Sequence, residues 1–290
     1  MAVTVNNKSL RGSSGQVMNR KTKVFSYVVL SVIAAIVVYP LLWLLMSAMK
    51  TVEELTFNTW GFPRNPQPIN FYLAWTNAGL ARLMLNSVRT ATLTVIFTLA
   101  ACVPMAFVLS RFKFRFRRLT YYIVITGMMI PIHAAIIPLY LLVLNMGMMN
   151  NLTMLALVYG AFRIPISVFI LEGYMSSIPK ELEECAYIDG CSVFRVFWNI
   201  IIPLSRDVIA TVAILAVINA WNELMVAMLL ISDMSLRTLP IGLASFLSEY
   251  FSEHTQLAAG ALLAIIPTLL FYLVAQEKIQ RGLTAGALKG

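Results

Sequence analysis

The chain has 290 residues, of which 59% are hydrophobic and 12% charged, with a formal net charge of +9. A soluble domain of this size carries about twice that charged fraction, so a water-soluble globular protein is excluded. The basic excess invites a nucleic-acid reading, but its distribution along the chain makes it a topology signal first.

Residues 1–23 are polar and rich in Gly, Ser and Asn, and read as a tail rather than a folded unit. Six stretches that follow are long and apolar enough to cross a bilayer, whose hydrocarbon core ~20 helical residues cover: 24–49, 90–110, 119–144, 152–171, 208–231 and 256–275. The first is too long for the core of a secretory leader, and no small-residue cleavage site follows it, so it is expected to persist as a span.

After span one, FPRNPQPINF (62–71) is expected to be non-helical, because Pro63, Pro66 and Pro68 block continuous hydrogen bonding. Between spans two and three, RFKFRFRR (111–118) alternates base and Phe. Between two spans, that pattern suits anchoring at anionic headgroups better than a nucleic-acid strand. Span three contains MMIPIHAAIIP (128–138), where Pro131 and Pro138 interrupt the helix near mid-membrane. Such a break either lines a cavity or is a packing kink.

Spans four and five hold the interior charges Arg163 and Glu223. A charge at mid-depth costs about 2.5–3.5 kcal/mol on insertion scales, so each should face protein or water. Asn219, Asn222 and Glu223 fall at helical spacing and form one polar stripe. Either this stripe lines a translocation path, with Arg163 as partner or second lining group, or Arg163 and Glu223 form a buried structural ion pair.

Alternate links carry the charge. The segments before span one, between two and three, between four and five, and after six hold 16 of the 22 basic residues. Positive residues stay cytoplasmic, so both termini and the loop 176–205 are expected there. Cys102 lies within a span, and Cys185 and Cys191 in the loop have poor spacing for zinc, so no metal site is expected. There is no nucleotide-cradling G-x-x-x-x-G-K-[ST] and no nucleophile–base constellation, which argues against an enzyme.

The loop SSIPKELEECAYIDGCSVFRVFWNIIIPL (176–204) is an acidic interlude in an oily chain. Pro179 suits a helix start. Glu181, Glu183 and Glu184 sit near the positive end of the dipole, and Gly190 supplies a left-handed stop. Ser192 can cap a second, aromatic-rich helix, and Pro203 marks the return to the membrane. The expected product is a helix–turn–helix with an acidic tip, a shape suited to handing force to a soluble partner.

Here the sequence resembles the permease subunits of bacterial ATP-binding-cassette (ABC) importers. Their loop pattern is E-A-A, three residues, G, nine residues, I-x-L-P. This chain has Glu184-Cys185-Ala186, Gly190, Ile200, Ile202 and Pro203 at those spacings, departing at Cys185 and Ile202. AWNEL (220–224) and GLTAGALKG (282–290) are similar to the carbohydrate-uptake branch, which includes the maltose transporter's second, six-span permease.

The resemblance implies an all-α, six-span membrane subunit of type I importer fold, importing a sugar or oligosaccharide by alternating access. It divides the chain into a cytoplasmic tail (1–23), the first helix and outer segment (24–83), an ABC transmembrane core (84–275) and a second cytoplasmic tail (276–290). It implies a homologous permease, two ATPase subunits and an extracytoplasmic sugar-binding protein as partners in the bacterial inner membrane. ATP and Mg would be bound by the ATPases, leaving this chain without a cofactor. Glu184, Cys185, Ala186, Asp189, Gly190 and Pro203 would belong to the ATPase-coupling element. Leu283, Thr284 and Leu288 would lie in the tail contact, and 233–253 would face the binding protein. The alternatives are a permease for an amino acid or polyamine, an ion-coupled secondary transporter, and a non-transporting assembly or anchor protein. The secondary transporter would require paired mid-membrane acids and an internal repeat, and the sequence offers one acid and no repeat.

Overall fold

The computed structural model describes residues 20–77, 79–249 and 254–287, and every regular element among them is helical. Helix α1 (Arg20–Ala48) leads into two short helices, α2 (Val52–Phe57) and α3 (Ile69–Asn77), which fold over its C-terminal end. Lys50 is fully buried, and its ammonium donates to the carbonyls of Asn58 and Thr59. Asn70 Nδ2 donates to the carbonyls of Ala48 at 2.9 Å and Lys50 at 2.8 Å, so orphan carbonyls at the helix end find donors. The proline-rich stretch is irregular as expected, except that its last three residues begin α3. Pro68 stands just ahead of that helix, where a missing N–H is no loss.

Helix α4 (Leu80–Arg111) is 32 residues long and starts ten residues before the predicted span. The predicted third span is instead two helices, α5 (Arg117–Thr126) and α6 (Ile136–Asn145), separated by a 3₁₀ turn and irregular backbone. Pro131 causes the break by driving Ile130 into an extended conformation (φ −81°, ψ 109°). Pro138 does not, because it sits in the first turn of α6, where no intrahelical donor is needed.

Helix α7 (Leu152–Met175) is capped by Asn151, whose side chain accepts from Thr153 and Met154 N–H. Then come α8 (Glu181–Ile188), α9 (Val193–Val196), a π-helical turn over 197–201, and α10 (Ile202–Leu204). The arm 193–204 meets α11 (Arg206–Asn222) at a 74° bend. Helices α12 (Met225–Leu230), α13 (Leu239–Glu249) and α14 (His254–Ala287) complete the chain. Helix α14 continues through most of the predicted C-terminal tail.

Among the described residues, four helical stretches are long and apolar enough to cross a membrane, 23–48, 80–111, 152–175 and 254–273, and the bent pair 193–222 makes a fifth if counted as one span. The predicted spans three and five are each divided by a break. The centre of the bundle is the α4–α7 pair. At Gly160 a Cβ would lie 3.3 Å from Phe97 Cβ and 3.4 Å from Thr98 Oγ1, so the small residue permits the close approach. Thr94 Oγ1 donates to Thr90 O at 2.8 Å and comes within 3.4 Å of Ala156 O across the same seam.

Candidate functional site

Two places in the fold concentrate polar chemistry. The first is the α8 end of the bundle. Helix α8 turns Glu183 and Ala186 inward and leaves Glu184, Cys185, Asp189 and Gly190 exposed. Gly190 has φ +78°, and Cys191 N–H bonds back to Ala186 O at 2.9 Å, closing the helix on a left-handed residue as expected. Ser192 Oγ accepts from Arg195 N–H at the start of α9. Val196, Phe197 and Ile201 dock into the bundle, with the Phe197 ring 4.9 Å from that of Phe107 on α4. Ile188 and Phe194 remain 85% and 72% exposed, so the tip of this hairpin is apolar as well as acidic. Pro203 is exposed in α10.

Behind this tip lies a group the sequence reading missed. Arg111, the last residue of α4, meets the Glu183 carboxylate at 2.5 Å (Nε to Oε1), and the two side chains are only 5% and 7% exposed. The approach is a close ion pair rather than an aligned hydrogen bond. The other arm of the guanidinium, Nη2, donates to Ile178 O at 3.1 Å. Burial pushes the Glu183 carboxyl above its ordinary value, against the opposing pull of Arg111 and Lys180. A second, more exposed pair joins Arg117 of α5 to Glu172 of α7 at 3.5 Å.

The second place is the break between α11 and α12. Glu223 lies beyond the end of α11 in extended backbone (φ −75°, ψ 125°) rather than on a continuous span. Its carboxylate accepts from the N–H groups of Val226 at 2.9 Å and Ala227 at 3.1 Å, capping α12. The Tyr159 hydroxyl on α7 donates to the same carboxylate at 2.6 Å.

The predicted stripe is therefore divided. Asn219 and Asn222 stand on α11, while Glu223 serves the break. Asn222 is exposed and donates to Ile218 O. Arg163 is half-buried on α7, and an Arg163–Glu223 ion pair is not among those formed by the described residues. Two largely apolar cavities of about 300 and 330 Å³ flank Trp221, one walled by α4, α11 and α14 and the other by α11, α13 and α14; Asn222 lines the second.

Of the predicted tail residues, Leu283 and Thr284 fall on the last turns of α14, and Leu288 lies outside the described residues. Within 233–253, Asp233 accepts from Ser235 N–H and Oγ, bonds that hold its carboxyl below the usual range. Residues 250–253 of that segment are outside those described. Glu183 alone had a hint in the sequence, because it shares one helical face with Ala186, three residues on. Lys50 and Tyr159 had none, since their partners are set by tertiary packing.

With this geometry in view, a family profile described as "Binding-protein-dependent transport system inner membrane component" matches residues 98–284. A probable ABC transporter permease protein of Bacillus subtilis is 36% identical over 270 residues, covering 93% of this chain and 89% of that protein. A diacetylchitobiose uptake system permease protein of Streptomyces coelicolor is 32% identical over 273 residues, covering 93% and 90%. Among solved structures, a chain of a bacterial ABC transporter involved in import of the acidic polysaccharide alginate superposes with a TM-score of 0.76. It covers 91% of this chain and 99% of that one at 23% identity, a likeness of fold.

Proposed function

This chain belongs to the family of binding-protein-dependent transport inner membrane components, and from that premise we propose that it is half of the translocation path of an ATP-driven sugar or oligosaccharide importer. It is a membrane-embedded ABC permease of type I fold and a transport subunit rather than an enzyme. The observation that carries the coupling reading is the α8–α9 hairpin. Its tip offers exposed Glu184, Ile188 and Phe194, while its inner face is locked to α4 by charge and to the bundle by Val196 and Phe197. A protruding hairpin so firmly rooted suits a lever. The sugar assignment is supported by the diacetylchitobiose relative and by the AWNEL and tail motifs.

In this reading a homologous permease completes the path. Two ATPase subunits, which bind the ATP and Mg, dock on Glu184, Cys185, Asp189 and Gly190, with Ala186 seating the helix on the bundle and Pro203 at the root of the hairpin. An extracytoplasmic binding protein delivers the sugar to the face bearing 233–253. Leu283, Thr284 and Leu288 reach the ATPases. Arg163, Asn219 and Asn222 line the path, and Glu223 shapes it by holding the helix break. Both termini and the hairpin face the cytoplasm, in keeping with the distribution of basic residues.

The test has two parts. Single cysteines introduced at Asp189 and Gly290 should react with an impermeant maleimide only when the cytoplasmic side is open. Reaction at either position in intact cells overturns the topology. Deleting the chain should abolish uptake of an oligosaccharide by the host, and unchanged uptake of every sugar tried overturns the substrate class.

A further inference from the structure

The link between α4 and α5 is fastened at both ends to the α7–α8 hairpin, through Arg111 to Glu183 and through Arg117 to Glu172. The two fastenings are unlike. The second is partly open to solvent, with the Arg117 side chain 40% exposed, and the first is sealed. Helix α8 is covalently continuous with α7 on one side and with α9–α11 on the other, and has no such continuity with α4. Its inward contacts are Ala186, a small residue in the apolar cluster at this end, and Glu183. Glu183 is thus the charged contact by which α8 itself holds α4, beside the apolar packing of Ala186 and of Phe197 against Phe107.

Helix α4 matters because it is the central partner of α7 and because Val88, Ala91 and Thr92 on it wall the cavity beside Trp221. An apolar contact slides under shear. A buried ion pair does not, because separation leaves two uncompensated charges in a low-dielectric site. The guanidinium is also anchored by the hydrogen bond from Nη2 to the Ile178 carbonyl, which holds its charge against Glu183.

We propose that Arg111 and Glu183 are a positioning couple that transmits displacement of α8 into α4, and so into the cavity wall, during each ATP-driven cycle. This rests on the coupling reading above. Neither residue touches substrate or nucleotide. They set how much transport each hydrolysis event yields.

The experiment uses the complete transporter reconstituted with its partner subunits, comparing R111A, E183Q, R111K, the reversed pair R111E/E183R and the control R117Q. Solute imported per ATP hydrolysed is measured alongside the amount of assembled complex. The single replacements R111A and E183Q should lower the transport-to-hydrolysis ratio by about fivefold or more, the size of a typical coupling free energy. R111K should lie between these and the native chain, the reversed pair should recover most of the ratio, and R117Q should leave it unchanged. A native ratio in whatever complex assembles would reduce the pair to a fold stabiliser and overturn the proposal. Should R111A and E183Q not assemble, R111K decides: an unchanged ratio overturns the proposal, a lowered one supports it. Failure of the coupling reading itself is seen separately, as no cross-link between Glu184→Cys and an ATPase subunit in the otherwise native chain.

Discussion

Glu183 and Glu223 are both carboxylates at a seam between helices, and the fold answers them in opposite ways. Glu183 is met by the guanidinium of Arg111, from a helix distant in sequence. Glu223 is met by neutral donors, two of them amides from the next turn of its own chain and the third the Tyr159 hydroxyl. A charge answered by a charge ties two elements together and is costly to separate. A carboxylate answered by nearby amides shapes its own backbone and leaves its neighbours freer. The first residue is built to hold a joint rigid, the second to hold a bend open.

The sharpest way to break this comparison is Arg111→Ala. It leaves Glu183 buried without its cation, and loss of one partner of a buried pair costs about 3–5 kcal/mol. Amide exchange across 176–205 should accelerate, with the rest of the bundle little changed; protection equal to the native chain would show that the pair bears no load. Glu223→Ala should cost less, about 1.5–3 kcal/mol for hydrogen bonds to a carboxylate. Its effect should be confined to the amides of Val226 and Ala227 and the turn of α7 that carries Tyr159, and exchange spreading through α4 would erase the distinction drawn here.

Gly190→Ala comes next, at about 1 kcal/mol, because the new Cβ meets open space and only the left-handed φ is strained. It should tilt α9 without loosening Glu183, visible as a changed distance between spin labels on α8 and α9. The smallest effect is a pH dependence. Burial raises the Glu183 value above its ordinary 4.5, so the stability linked to its protonation is complete below about 4.5 and is lost as pH rises through the raised value. Arg111→Ala removes the opposing pull, so its deficit in thermal stability should be narrower at pH 5 than at pH 8. A deficit independent of pH would mean that Glu183 is not the residue left exposed to the cost.

These two carboxylates also mark what a sequence can tell. Most of the hairpin was legible, because a stop glycine, a capping serine and a row of first-turn acids are local chemistry, although α8 starts at Glu181, two residues after Pro179, and the second arm passes through a π-helical turn. Spans one, two, four and six were legible as hydropathy, although α4 extends a further ten residues because amphipathic turns at its start pack on α3 and α13. The breaks were harder. Pro131 announced the one in span three, whereas nothing in AWNEL says that helical spacing ends at Asn222 and that Glu223 turns to cap the next helix. Pairings such as Arg111 with Glu183 arise only when two helix ends meet, and no spacing rule reaches across separate elements.

Helix α1 carries a consequence of another kind. Its apolar stretch runs 26 residues, about 39 Å at ~1.5 Å per residue, against a hydrocarbon core of ~30 Å. One end is clamped by Lys50, Asn70 and Trp43, while the most apolar window of the helix is wholly unburied. A span longer than the bilayer relieves the mismatch by leaning over. Pinned at one end and packed on α14 yet unburied along its apolar window, α1 is expected to lean more in a thin membrane and stand straighter in a thick one, so that bilayer thickness sets the sideways position of its N-terminal end.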